Sequence, residues 1–282
     1  MKKILILLSA VAGILSACQK EASLEDPNAT PGTGGTTPTG LLTRNVFVAG
    51  GDSIMVDYGY DAAKRLTNFT YATTGGGNSS KRIVRNGAGI ITQYISKGED
   101  LLSSGIDSTV TSLNYNAAQS RYTYSITLFD YQGITYKDSS AFTYDGSGNL
   151  TTKTAYLTSG PAPYQVYQKT EYTYVSGNVS SEKYYSPDAT GTGWELEATY
   201  NYTYDSKVNP VKLGTEAMIV LDDASYFGNN NVTMLDYVDG TDPSFNFSLN
   251  TTYTYSNTNK PSGGTTVETP GSASYTLRYY YN

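Results

Sequence analysis

The stretch Phe142-Thr143-Tyr144-Asp145-Gly146-Ser147-Gly148-Asn149-Leu150 decides the fold, because it joins the end of one alternating segment to the start of the next. Asp and Asn side chains can accept hydrogen bonds from the backbone two residues on, and Gly and Asn tolerate a positive φ. Both properties are typical of tight turns between antiparallel strands. The stretch therefore predicts a β-hairpin that turns within residues 145–149.

Looser copies of this turn recur along the chain. Counted from the residue after a leading aromatic or arginine, they begin at positions 61, 86, 116, 145, 175, 205, 227 and 256, and the seventh follows Tyr226. A regular spacing near 30 residues indicates one structural unit repeated in tandem. Each unit holds two strands, one tight turn and one longer loop, so eight units predict roughly 16 antiparallel strands.

The segments between the turns alternate with period two. From Trp194 to Tyr204 every even position is apolar or aromatic and every odd position is polar. This is the pattern of a half-buried strand. It predicts that Trp194, Leu196, Tyr200 and Tyr202 share one face with Tyr204 and contribute to a core.

Sixteen strands in one sheet leave two long unpaired edges unless the sheet curls, splits or closes. No stretch of residues 41–282 shows a convincing helical stripe. We therefore expect an all-β fold: an antiparallel meander of roughly 14–18 strands, built from hairpin repeats of about 30 residues and curled or closed into a barrel-like sheet. The pattern leaves open whether the barrel closes and which face is buried.

The N-terminus has the parts of a secretory signal peptide. Lys2 and Lys3 precede an apolar run that ends at Leu15-Ser16-Ala17-Cys18. This tetrad resembles the signal of bacterial lipoproteins, which implies removal of residues 1–17, acylation of Cys18 and a lipid anchor in the outer membrane. Residues 18–40 are rich in Pro, Gly and Thr and predict a flexible tether. Residues 41–282 then form a single β-repeat domain, on either the periplasmic or the surface side.

Composition excludes several kinds of active site. The chain has no histidine and one cysteine, so it cannot form a Ser-His-Asp triad, a Cys-His nucleophile or a histidine-bearing zinc site. Loss of residues 1–17 would remove two lysines and no acid, which takes the net charge from −6 to −8. A phosphate backbone requires clustered Lys and Arg. We therefore expect no nucleic-acid partner.

Three residues at one strand end are candidates for ligand contact. Glu195 and Glu197 alternate along the strand and would form a carboxylate pair of the kind that glycosidases use, or a solvated face. Trp194 follows the flexible Gly191-Thr192-Gly193 and would contact a ligand or cap the core. Residues 145–149 space oxygen side chains like a calcium loop, but Leu150 and Tyr156 stand where a glycine and an acid are needed. We therefore predict no metal and no cofactor.

Two resemblances extend the analysis beyond the signal. The pattern Tyr-x-Tyr-Asp-x-x-Gly-Asn-Leu at 142–150, with phenylalanine first, resembles the Tyr-Asp repeats of Rhs-type β-shell proteins. Over nearly the whole chain, the organisation is similar to uncharacterised Bacteroidota lipoproteins that have a porin-like β fold. Neither resemblance carries over a catalytic residue.

These observations favour a lipid-anchored, non-enzymatic module at the outer membrane that binds a glycan or another envelope protein. One alternative is a membrane-spanning outer-membrane β-barrel, because its strands also alternate and its short and long connections also take turns. The other is a carboxylate-based polysaccharide hydrolase that uses Glu195 and Glu197.

Overall fold

The computed structural model describes residues 40–211, 213–271 and 273–282. Cys18, the expected signal peptide 1–17 and the tether up to residue 39 lie outside the described residues. Within the described part the fold is almost entirely β, with sixteen strands. They are β1 Leu42–Ala49, β2 Asp52–Tyr60, β3 Leu66–Thr73, β4 Asn78–Arg85, β5 Ile91–Gly98, β6 Thr109–Asn116, β7 Arg121–Tyr131, β8 Ile134–Tyr144, β9 Leu150–Ser159, β10 Gln165–Val175, β11 Asn178–Pro187, β12 Trp194–Val208, β13 Asn230–Asp239, β14 Phe247–Tyr255, β15 Pro261–Thr269 and β16 Ser274–Tyr281.

The sixteen strands form a closed barrel. Each strand pairs antiparallel with the next one in sequence, and β16 pairs with β1. The predicted antiparallel meander of 14–18 strands is thus confirmed, and the sheet is closed rather than merely curled. Closure leaves every strand with two neighbours, so no sheet edge is exposed to unwanted pairing.

Helical structure is confined to short segments. They are α1 Glu99–Ser103, a π-helical turn Ala217–Leu221 and 3₁₀ turns Ala224–Tyr226 and Pro243–Phe245. Among the described residues, no helix has the length and apolar character needed to cross a membrane.

One end of the barrel carries the repeated turns, and we call it the turn rim. It holds the connections after β2, β4, β6, β8, β10, β12 and β14. At Asp145 the side chain accepts hydrogen bonds from the backbone N–H groups of Ser147 (2.8 Å) and Asn149 (2.9 Å), and Gly148 has φ 86°. The predicted capping of the turn by its leading Asp is therefore confirmed. The same backbone bond, from the first N–H to the fifth carbonyl, closes the turns 61–65, 86–90, 145–149 and 256–260.

The other end, the loop rim, carries the remaining connections after the odd-numbered strands. The two ends of the described chain meet at the turn rim, where Leu41 N–H donates to Asn282 Oδ1 (2.9 Å) and Lys260 Nζ donates to the Gly40 carbonyl (2.7 Å). Any tether that precedes residue 40 therefore leaves from the turn rim, and the loop rim faces away from it.

On most strands, apolar and aromatic side chains face the barrel interior and polar ones face outward. There are exceptions on both walls, since Lys153 and Glu182 face inward and Val110 and Leu128 are exposed on the outer wall. Strand β14 is representative, because its alternation is complete. Its inward side chains are Phe247, Leu249, Thr251, Tyr253 and Tyr255, and its outward side chains are Ser248, Asn250, Thr252 and Thr254. The buried hydrophobic cluster accordingly lies inside the barrel, and the outer face of this strand presents hydroxyl and amide groups.

The connection between β12 and β13 folds into the barrel and fills its turn-rim half. We call residues 209–211 and 213–229 the plug. All five residues of its π-helical turn Ala217–Leu221 are buried. Two of the eight predicted turn copies are wrong. The copy at 205 lies within β12, which continues into the plug, and the copy after Tyr226 is not a hairpin, because Tyr226 ends a 3₁₀ turn inside the plug. The number of strands is still sixteen. Seven connections lie at the turn rim, and the pairing of β16 with β1 takes the place of the eighth predicted turn.

Candidate functional site: the lumen above the plug

Ionic and polar contacts fix the plug to several sides of the wall. Arg85 on β4 donates two hydrogen bonds to the Glu216 carboxylate, at 2.9 and 2.7 Å. Tyr122 on β7 donates a third (3.3 Å), and Ile91 N–H in turn donates to the Tyr122 hydroxyl (3.0 Å). The hydrogen-bonded Glu216 raises the pKa of Arg85, which therefore stays charged. A carboxylate held by side chains from β4 and β7 places the plug inside the lumen.

The apolar turn of the plug packs against the tyrosine layer of the wall. Met218 is fully buried, and its sulfur lies 3.7 Å from the Tyr174 hydroxyl, which also donates to the Leu150 carbonyl (2.6 Å). A buried tyrosine hydroxyl needs a partner, and here the backbone supplies it. This packing fills much of the turn-rim half of the barrel with side chains.

The tip of the plug carries charge. Asp222 adopts a left-handed conformation (φ 59°, ψ 40°) and pairs with Lys153 of β9 at 2.7 Å. Lys81 of β4 donates to the Val220 carbonyl at 2.6 Å. Asp223 accepts from Ser225 N–H at 2.8 Å and so caps the following 3₁₀ turn. Two lysines from different strands therefore hold the tip in place.

The charged groups at the tip of the plug lie inside the barrel wall and are still accessible to solvent. The wall surrounds Asp222, yet 46% of its side-chain surface is accessible to solvent. Burial raises the pKa of this carboxyl, but Lys153 and Lys81 outweigh that effect and the pKa is lowered. Burial lowers the pKa of Lys81 to about 8. Solvent therefore reaches the top of the plug, and the tip forms the floor of an accessible lumen.

Buried carboxyl groups lie in the wall above this floor. Glu182 of β11 is 4% exposed, and Tyr202 donates a hydrogen bond to it at 2.8 Å. Burial raises the pKa of Glu182 to about 8, so this carboxyl is largely protonated at neutral pH. Asp138 of β8 accepts from the Tyr167 hydroxyl at 3.2 Å, and burial raises its pKa too.

A row of aromatic rings crosses four strands of the inner wall. Tyr184 lies 5.5 Å from Tyr200, Tyr200 lies 5.1 Å from Tyr237, and Tyr237 stacks on Phe247 at 5.0 Å, all between ring centroids. We call these four residues the ring row. Tyr237 also donates to Asp239 Oδ2 (3.1 Å). The row therefore offers apolar ring faces beside hydrogen-bonding groups, near the loop rim.

The structure places the three sequence-predicted site residues at the loop rim of β12 and separates their faces. A register shift occurs where Tyr184 pairs with Ala198 but Tyr185 pairs with Leu196. The extra residue reverses the alternation, so the prediction that Trp194 and Leu196 share a face with Tyr200 is wrong. Both lie on the outer wall, where they are 37% and 39% exposed.

On that outer wall the Trp194 ring lies 4.9 Å from Lys169 Nζ, which also contacts the Tyr185 ring (4.3 Å). Trp194 is thus a surface residue in a cation–π contact and does not cap the core. Tyr202 and the rest of the tyrosine face do pack inside, as predicted. Whether Trp194 contacts a ligand stays a prediction.

Glu195 and Glu197 are exposed side by side. Glu195 pairs across strands with Ser186, and the Ser186 hydroxyl donates to Glu197 Oε1. The pair remains a candidate for ligand contact. Within the described ranges, no group of three or more Cys, Asp or Glu residues could hold a metal ion.

Sequence reasoning missed the plug, the lysines that hold it and the buried Glu182. One signal was present: Ala217–Leu221 is a run of five apolar residues in a chain whose strands otherwise alternate. Such a run indicates burial on all sides.

No model of a known protein family matches the sequence, and no curated protein matches it either. Solved structures do match in fold. A porin-like protein from Bacteroides uniformis ATCC 8492 aligns with a TM-score of 0.52 and 14% identity, over 86% of this chain and 98% of that chain. A porin-like protein from Bacteroides vulgatus ATCC 8482 aligns with a TM-score of 0.50 and 10% identity, over 86% and 99%. The expected porin-like β fold is thus confirmed, whereas the lipoprotein and Tyr-Asp repeat resemblances stay predictions.

Proposed function

We propose that the chain is a lipid-anchored, non-enzymatic binding module of the outer membrane, and that its lumen takes up a glycan through the loop rim. The polarity of the barrel wall carries this proposal. A spanning barrel presents an apolar outer band about 25 Å tall, with aromatic girdles at both interfaces. Here the outward residues of β14 are Ser, Asn and Thr, and those of β8 and β9 are mostly Thr, Ser and Lys. Water suits the wall of these three strands better than lipid does.

The plug favours a barrel that is closed at the turn rim and open at the loop rim, which we call a cup, over an open channel. It closes the turn rim with buried apolar side chains, and the Arg85–Glu216 pair and Lys153 hold it in place. Solvent reaches Asp222 above it, so the loop-rim half stays accessible. A tether from Cys18 would leave at the turn rim and point the open end of the cup away from the membrane.

A glycan is the ligand class that the inner wall favours. Aromatic faces stack on the C–H faces of sugars, and carboxylates and hydroxyls bind sugar hydroxyl groups. The ring row supplies the first kind of contact, and Asp239 and Glu197 at its edge supply the second. The same surface would accept a protein loop rich in hydroxyl groups, which is the second form of the binding-module hypothesis.

The first experiment concerns solubility. The mature chain with Cys18→Ala is expressed without its signal peptide and analysed in detergent-free buffer. A soluble monomer whose gel mobility does not depend on boiling would support the proposal. Protein that folds only in detergent and shifts on heating would refute it and favour the membrane-spanning barrel.

The second experiment concerns the ligand. Glycan arrays are probed with the soluble chain, and any hit is titrated against Tyr200→Ala and Phe247→Ala. We expect a loss of affinity of about two- to tenfold for each, since an aromatic contact contributes about 0.5–1.5 kcal/mol. The loss should exceed that of the control below. Trp194→Ala on the outer wall is the matched control and should stay within twofold. Equal losses in all three variants would exclude the lumen as the site.

The hydrolase alternative is tested on the same hits. If the chain cleaves a bound polysaccharide, Glu195→Gln or Glu197→Gln should abolish turnover while binding persists. Product formation by the wild-type chain would overturn the non-enzymatic part of the proposal.

A further inference from the structure

A second space lies beside the plug, on the side of the barrel formed by β1, β2 and β13–β16. It measures about 190 Å³ and lies between the plug residues 209–211 and 225–226 and the wall. We call it the side cavity. It is separate from the ring row, none of whose four residues lines it.

The side cavity lies across the barrel from the wall residues that hold Glu216, Met218 and Asp222 of the plug. The anchors of the plug are on β4, β7, β9 and β10, where Arg85, Tyr122, Lys153 and Tyr174 contact it. On the opposite side, short side chains such as Thr251 and Thr266 face inward where tyrosines stand elsewhere in the barrel. The side cavity therefore lies where β14 and β15 present short inward side chains.

The wall of the side cavity is mostly carbon. Its apolar lining includes Phe47, Leu235, Leu249 and Leu277, from four different strands. The polar groups on this wall are largely matched to one another: Thr251 and Thr266 share a hydrogen bond of 2.8 Å. Polar groups that are already paired do not require water, so such a surface favours an apolar occupant.

One edge of the side cavity is polar. The Tyr58 hydroxyl donates to Asn45 Oδ1 at 2.9 Å and lies 3.2 Å from the Tyr226 hydroxyl of the plug. A tyrosine hydroxyl can donate one hydrogen bond and accept two. This pair of hydroxyls therefore retains capacity for one more polar group.

The volume of the side cavity limits the size of the ligand that it can bind. A cavity of about 150 Å³ lined by Leu, Ile and Phe stays dry and binds benzene. The side cavity is slightly larger, is partly open to solvent and has one polar edge. We propose that it binds a small monocyclic ligand with an apolar ring face and a single hydroxyl group, of the phenol class, held by Phe47 and the three leucines and oriented by Tyr58 and Tyr226.

The test uses the mature chain with Cys18→Ala and two probes, p-cresol and toluene, in calorimetric titrations. We expect saturable one-to-one binding of p-cresol, with weaker binding of toluene because it lacks the hydroxyl. Leu249→Phe fills the cavity and should weaken p-cresol at least tenfold. Val110→Phe makes the same kind of enlargement on the exposed outer wall and should change the affinity by less than twofold.

A second measurement uses the chain without any substitution in the side cavity, so it does not depend on whether a variant folds. Nuclear Overhauser contacts from bound p-cresol should reach the methyl groups of Leu235 and Leu277, and not those of Leu113 across the barrel. Absence of saturable binding, equal affinity for p-cresol and toluene, unchanged affinity in folded Leu249→Phe, or contacts to Leu113 alone would each overturn the assignment.

Discussion

The substitution Glu182→Gln should make the barrel more stable, and increasingly so as pH rises. Glu182 is buried in the inner wall, and burial raises its pKa from 4.5 to about 8. In the folded chain this carboxyl keeps a proton that the unfolded chain releases above pH 4.5. Stability must therefore fall between these two values as pH rises, since the folded state binds more protons.

The size of the effect follows from the two pKa values. One pKa unit corresponds to about 1.4 kcal/mol, so the 3.5 units between them give a loss of about 5 kcal/mol at pH 9 and about 2 kcal/mol at pH 6. Glutamine has the same shape and no charge, and its amide oxygen can still accept the hydrogen bond from Tyr202. The variant should thus match the wild-type chain at pH 4–5 and exceed it above pH 8.

The assay is urea unfolding from pH 5 to pH 9, followed by tyrosine fluorescence, with the variant compared to the wild-type chain at each pH. Both chains contain the same other titrating groups, including Lys81, so the effects of these groups on stability cancel in the difference. Glu171→Gln is the matched control, because this outward carboxyl is hydrogen-bonded by Lys169 and its pKa is lowered. Glu171→Gln should lower the free energy of unfolding by less than about 1 kcal/mol, and it should give no stabilisation that increases with pH. Parallel curves for wild type and Glu182→Gln would refute the reasoning.

Three further substitutions test the plug and the wall. Met218→Ala empties a fully buried site in the plug and should lower the free energy of unfolding by about 2–5 kcal/mol in the same urea assay. Gly264→Val puts a Cβ 2.7 Å from the Thr252 carbonyl oxygen and against Tyr253, so it should cost about 1–3 kcal/mol and lower the melting temperature. Asp205→Ala removes the acceptor of Asn231 N–H (3.0 Å) where the plug returns to β13, and should cost about 1–3 kcal/mol while hydrogen exchange at Asn231 accelerates. A barrel that tolerates all three without loss would mean that the plug and its exit are not tightly packed.

The sequence predicted the features that depend on local chemistry. The cap at Asp145 and the alternation along β14 depend on residues that are neighbours in the chain, so the turn and the inward face could be read from them. The same reasoning failed at Trp194, because one extra residue in β12 relative to its partner reverses the face of everything before it. A register shift of this kind is a property of two strands together, and one strand alone does not reveal it.

The candidate site was less predictable than the fold. Lys153 and Asp222 lie 69 residues apart and meet only because the plug enters the lumen. Whether a connection turns inward depends on the space that sixteen closed strands enclose, which is a global quantity. Glu182 stands in a strand, β11, whose sequence does not alternate, so its burial beside Tyr202 could not be predicted from its neighbours in the chain.

The position of the plug along the chain has a consequence for how the molecule assembles. All strand pairs but one join neighbours in sequence, and the exception, β1 with β16, joins ends that are about 240 residues apart. Twelve strands precede the plug and four follow it. If the strands pair in the order of the sequence, the plug is present before β13–β16 complete the ring. The inner segment can serve as the template on which the wall wraps, and nothing has to be threaded into a finished cylinder.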